Sequence, residues 1–211
     1  MTIRVLPLLL TLCLTMTLPA MAGVVYENGP INGTIDAWTI NFGFVMGDSF
    51  TISGGPTTIT GVAFGAWVSP GDTVTSVEVS LNSQPYLGGT TYFDEMVNFT
   101  QTGCAVNQYG FNVCTETGLF NGPTLLNGTY WMTLQNAATT NGDPVYWDEN
   151  GGIGCHSPGC PSQTWWNSEG TVPSESFSIL GTPGGATPEP GSLVLVGSGV
   201  LGLLGLIRRK L

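Results

Sequence analysis

Lysine and arginine are almost missing from this chain, and their placement rules out several functions. The four strong cations among its 211 residues are Arg4, Arg208, Arg209 and Lys210. Between Gly23 and Thr187 there is none, against thirteen carboxylates. A nucleic-acid partner is excluded, because phosphates are bound by displacing their counterions with Lys or Arg. Phosphoryl transfer lacks its usual cationic clamp and would need a metal ion in its place. No lysine or arginine salt bridge can form within this stretch, so its fold must rest on apolar burial, backbone hydrogen bonds and disulfides. The acid surplus favours solubility. Divalent cations could neutralise such a surface, which gives a general reason to consider calcium; no other cofactor is expected.

Histidine is nearly absent as well. His156 stands alone, and no GxSxG elbow accompanies any serine, so a nucleophilic triad has little to work with. Outside the two ends, no window has the 3.6-residue apolar period of a helix. A GxGxxG match occurs at Gly197–Gly202, but only nine residues follow it and none is acidic. A dinucleotide site requires a complete βαβ unit and an acid about twenty residues onward, so that reading fails.

The ends are where the long apolar runs lie. Residues 1–22 have the three parts of a secretory signal: Arg4, the apolar run Val5–Leu18, and small residues Ala20 and Ala22 before the expected cleavage point. Near the other end, Ser192–Ile207 is uncharged over sixteen residues. As a helix it would be about 24 Å long, short of the roughly 30 Å hydrocarbon core but within reach if Arg208 snorkels. Arg208, Arg209 and Lys210 would hold the C-terminus in the cytoplasm and leave the body on the far side of the membrane.

The order Pro188-Glu189-Pro190, apolar Ser192–Ile207, basic Arg208-Arg209-Lys210 resembles the PEP-CTERM sorting signal. Thr187 stands where Val is commoner. The resemblance implies export from a Gram-negative bacterium and recognition by an exosortase, a membrane enzyme that cuts near the triplet. It also implies an exopolysaccharide or biofilm setting, with final residence at the cell surface or in the matrix. An anchor that is never cut is the alternative.

The body punctuates itself with Asn-Gly pairs at Asn28, Asn32, Asn121, Asn127, Asn141 and Asn150. These are strong hairpin signals, because both residues tolerate positive φ. Between them lie alternating stretches: Trp38–Phe44, Val77–Leu81, Tyr109–Val113, Thr129–Leu134 and Glu175–Ile179. Short alternating strands among Gly, Pro and Asn predict an all-β, antiparallel sandwich or jelly roll. The division expected is a signal peptide at 1–22, a β domain at 23–181, a flexible linker at 182–187 and the sorting segment at 188–211. Cys104, Cys114, Cys155 and Cys160 are an even set outside the cytoplasm and read as disulfides. Proximity favours Cys104–Cys114, pinning a projecting hairpin Phe93–Val113, and Cys155–Cys160. A zinc site at Cys155, His156 and Cys160 is the sharper alternative.

Chemistry concentrates in PVYWDENGG. Tyr146 and Trp147 beside Asp148, Glu149 and Asn150 suit a sugar, whose apolar face stacks on rings while its hydroxyls meet carboxylates. Trp165 and Trp166 would widen such a platform. The competing reading packs the aromatics inward and leaves DENGG as a turn. Asp94-Glu95 and Asp148-Glu149 offer carboxylates for glycoside hydrolysis, but adjacent strand residues point to opposite faces and do not converge on one bond. The expectation is a non-enzymatic exported protein, structural or adhesive. A carbohydrate-binding module is the alternative, and a glycoside hydrolase a more distant one.

Overall fold

A computed structural model describes residues 23–184, and every regular element in it is a β-strand. They are β1 (Gly23–Glu27), β2 (Asp36–Thr39), β3 (Val45–Ile52), β4 (Thr57–Val68), β5 (Val74–Gln84), β6 (Gly88–Val106) and β7 (Asn112–Leu119). After them come β8 (Thr124–Leu125), β9 (Gly128–Thr139), β10 (Val145–Glu149), β11 (Thr164–Trp166), β12 (Gly170–Val172) and β13 (Phe177–Pro183). All pairings are antiparallel, as the alternating sequence predicts.

The strands form one sheet in the order β1-β13-β4-β7-β6-β5-β9-β3-β11-β12; off this path β10 and β8 pair with β4, and β2 pairs with β10. It curls into two facing layers, and β6 makes the turn between them. Up to Asn98 β6 pairs with β5, and from Phe99 onward it pairs with β7. The hairpin expected to project therefore does not project, because β5 takes up the first half of its leading strand. The layers close on a core of period-two side chains. Tyr26 from one layer meets Phe50 from the other at 6.1 Å, while Phe64, Met132, Leu134 and Trp147 are all fully buried.

Val77–Leu81 lies within β5 and Thr129–Leu134 within β9. The stretch Trp38–Phe44 is not one strand. β2 stops at Thr39, Ile40 bonds across to Val145, and Phe42 and Gly43 turn with φ of 57° and 86°. The chain is crossing there from one layer to the other, so the alternation ends in an exposed Phe42. Tyr109 and Gly110 likewise sit in the β6–β7 turn, where the Asn107 side chain accepts from the N–H groups of Tyr109 and Phe111. Glu175 lies outside β13 and makes only an isolated bridge to Glu149. At the other end of β13, Thr182 and Pro183 pair with Thr58 and Thr57, so the domain runs two residues into the expected linker. The signal peptide, the apolar segment 192–207 and the basic residues 208–210 lie outside the described residues. Among the described residues no helix is long and apolar enough to cross a membrane.

Candidate functional site

The stretch richest in candidate residues is a central strand. β10 pairs with β2 on one side and β4 on the other. Period two sends Val145, Trp147 and Glu149 to one face and Tyr146 and Asp148 to the other. Trp147 points into the core, fully buried, and its indole N–H donates to the Ser176 carbonyl at 2.9 Å. Phe64 and Phe177 meet it edge-on at 6.1 and 5.7 Å.

The opposite face is covered too, because the loop between β1 and β2 lies across it. Asp148 accepts from the backbone N–H groups of Asn32 and Gly33 at 2.9 and 2.8 Å, and from the Trp67 indole at 2.6 Å. Asn150 donates its amide to the Asn28 carbonyl at 2.6 Å. Tyr146 is half-buried and meets Phe111 edge-on at 5.5 Å. Trp147, Asp148, Glu149 and Asn150 are all buried, so the open aromatic platform expected at Tyr146–Asn150 does not form. With both faces covered, the strand leaves only Tyr146 partly open to solvent.

Trp165 and Trp166 do not extend it either, because as neighbours on β11 they face opposite ways. Trp166 packs against Phe44 and Trp38 at 4.9 and 5.1 Å and donates to the Thr39 carbonyl. Trp165 lies on the outward face beside Tyr86, with ring centres 4.3 Å apart.

A buried acidic network sits at this end of the interior. Glu149 accepts from the Trp38 indole at 3.0 Å, and Glu175 stands opposite Glu149. Asp48 reaches in from β3 and accepts from the Glu175 backbone N–H at 2.9 Å. The Asn28 amide nitrogen lies 2.5 Å from the Glu175 carbonyl, 2.7 Å from the hydroxyls of Ser162 and Ser174, and 3.4 Å from Asp48. Both Glu175 carboxyl oxygens and one of Asp48 are buried without a hydrogen-bond partner.

Burial disfavours the charged form of an acid, and neighbouring negative charge adds to the effect. Asp48 is pushed up to about 7 by burial, against opposing hydrogen bonds from Ser162 and the Glu175 backbone. Glu175 is raised well above the usual carboxylate range by burial, then by Asp48, Glu149, Asp148 and Asp36. Glu149 is raised mainly by burial. On β7, burial alone takes Glu116 to about 8. Burial thus favours the neutral form of Glu116 at neutral pH and pushes Glu175 in the same direction. Among the described residues no group of three or more His, Cys, Asp or Glu side chains is arranged to hold a metal ion.

Period two carried the signal for this network. Asp48 alternates with Met46, Phe50 and Ile52 on β3, and Glu175 leads into Phe177 and Ile179. An acid in phase with buried apolar residues must itself be buried. The sorted cysteines pair as Cys104–Cys114, whose Cα atoms are 4.1 Å apart across β6 and β7, and Cys155–Cys160 in the loop before β11. His156 is exposed in that loop, and Asp94 and Glu95 are exposed on β6.

Comparison with curated proteins finds no match. The family model for the PEP-CTERM protein-sorting motif matches residues 186–210, spanning Pro188-Glu189-Pro190 and Arg208-Arg209-Lys210. The β domain thus stands in front of the C-terminal tail found on exosortase substrates, the mark of an exported protein handled by that enzyme at the membrane.

Proposed function

We propose that the β domain is a non-enzymatic structural or adhesive component of an exopolysaccharide matrix, delivered across the membrane and held at its surface by the C-terminal segment before processing. The observation that carries this reading is the pairing of the sorting motif at residues 186–210 with a domain in which Asp148 and Glu149, the acids of the stretch richest in candidate residues, are enclosed. Asp148 is committed to two backbone N–H groups and an indole, and it faces away from its neighbour Glu149. Neither offers a carboxyl pair flanking an open cleft, as glycoside hydrolysis requires. The outward acids, with no lysine or arginine among them, keep the domain soluble once outside the cell.

The test is fractionation of a host carrying an exosortase, with intact-mass measurement on each fraction. The reading expects a shortened form in the matrix fraction, released when the polysaccharide is stripped, and no new reducing ends on long incubation with that polysaccharide. A protein found only in the cytosol, or one that generates reducing ends, overturns it.

A further inference from the structure

The outward face of the second layer carries a feature that the fold does not explain. Register places Trp165, Gly47, Thr133, Ser80 and Asp94 in one row across β11, β3, β9, β5 and β6. Gly47 is needed there: a Cβ would come within 2.6 Å of the Trp165 indole nitrogen and 3.1 Å of the Thr133 hydroxyl. The missing side chain lets the indole lie down across β3. Trp131 and Asn82 occupy the next row.

Over this face comes the tip of the β5–β6 hairpin. Pro85 and Gly88 close the turn through a 3.0 Å hydrogen bond, and its two central residues, Tyr86 and Leu87, have φ of 59° and 57°. That backbone favours Asn-Gly, and bulky side chains rarely adopt it. The chain uses Asn-Gly freely elsewhere, yet here it places a tyrosine that is 58% exposed and lies against Trp165. Strain of this kind, kept where a relaxed pair would do, points to a role for the side chain.

Pro85, Tyr86, Trp131, Gln163, Trp165 and Thr171 line a groove of about 420 Å³, within the range of about 300–1,000 Å³ typical of ligand sites. The same face holds four buried polar atoms without partners: the Trp165 indole nitrogen, the hydroxyls of Thr133 and Ser80, and the Asn82 carbonyl oxygen. Trp165 is only 4% exposed, so its unpaired N–H is anomalous. Rings beside unpaired donors and acceptors match a sugar, which has apolar C–H faces and hydroxyls that both give and accept. With no lysine or arginine in the domain, and Asp94 ending the row, an anionic chain would be repelled.

We propose that this groove binds a neutral polysaccharide: a pyranose stacks on Tyr86 as the turn swings outward, and a hydroxyl accepts from the Trp165 indole. The proposal rests on the reading of the domain as a non-enzymatic component of an exopolysaccharide matrix, and names the ligand class.

The experiment is affinity electrophoresis of the full-length protein in mild detergent, through gels containing galactomannan, hydroxyethylcellulose, dextran or alginate. At least one neutral polymer should retard the protein, and alginate should not. Tyr86→Asn keeps a residue suited to the turn while removing the ring, and should weaken retardation at least tenfold. Trp165→Phe keeps a ring but loses the N–H, and should weaken it several-fold with the thermal midpoint retained. Retardation by none of the neutral polymers, stronger retardation by alginate, or retardation unchanged in both variants overturns the site. Matrix fractionation is read separately, so the site can fail while the matrix role stands, and the reverse.

Discussion

The backbone N–H of Glu175 donates to the Asp48 carboxylate at 2.9 Å, joining two acids that approach from opposite layers of the sandwich with no lysine or arginine in the domain to balance them. Burying an unpaired carboxylate is so costly that the group takes up a proton instead. Burial therefore favours the neutral form of these acids, and the stability of the domain should follow pH.

The sign is set by the direction of the shifts. Asp48, Glu116 and Glu175 bind protons more tightly when folded than when unfolded. Their stabilisation is fully present below the unfolded carboxylate range and is lost as pH rises through the folded values, about 7 for Asp48 and about 8 for Glu116. The thermal midpoint of the domain should fall steadily between about pH 4 and pH 8. Asp48→Asn should flatten part of that slope, since an amide keeps the shape and never ionises. Calorimetry across this range checks it, and a midpoint that rises with pH contradicts the neutral-acid interior.

Asp148 should matter for folding rather than for a ligand. Asp148→Ala leaves two backbone N–H groups and the Trp67 indole without an acceptor. Each buried unsatisfied donor costs about 1–3 kcal/mol, so a loss of about 3 kcal/mol or more is expected in urea unfolding. Asp148→Asn, which retains one acceptor oxygen, should lose less.

Trp147→Ala should behave as a core truncation. The side chain is fully buried between Phe64 and Phe177, so its removal opens a cavity and should cost about 3–5 kcal/mol. Chemical denaturation measures this directly. An unchanged midpoint would place the indole outside the core.

Reduction should weaken the domain without unravelling its strand order. Cys104–Cys114 closes ten residues of sequence separation and Cys155–Cys160 closes five. In the chain-entropy model these contribute about 3 and about 2 kcal/mol. Replacing Cys104 and Cys114 together by serine should lower stability by about the first amount, and intact mass before and after reduction should show the variant gaining one pair of hydrogens where the parent gains two pairs.

Replacing Pro188-Glu189-Pro190 by alanines should block processing, since the sorting motif spans this triplet. In a host with an exosortase, a longer species should accumulate in the membrane fraction, visible by intact mass. Normal trimming of the variant would show that the triplet does not direct the cut.

Local pattern was enough for some features and not for others. The absence of lysine and arginine, the sorting tail, the all-β class and strands such as Val77–Leu81 and Thr129–Leu134 follow from residue identity and short-range alternation, which the chain carries wherever it folds. Burial does not follow in the same way. Tyr146–Asn150 reads as a rich surface loop, yet β10 is enclosed because β2 and β4 flank it and the loop after β1 crosses it. Asp48 and Glu175 are separated by 127 positions, and Trp165 and Tyr86 by 79; only strand register and layer packing bring each pair together. Sequence fixes which side chains are available and their spacing along a strand. Which of them share a face with one another, and which meet water, is set by long-range pairing that no short window contains.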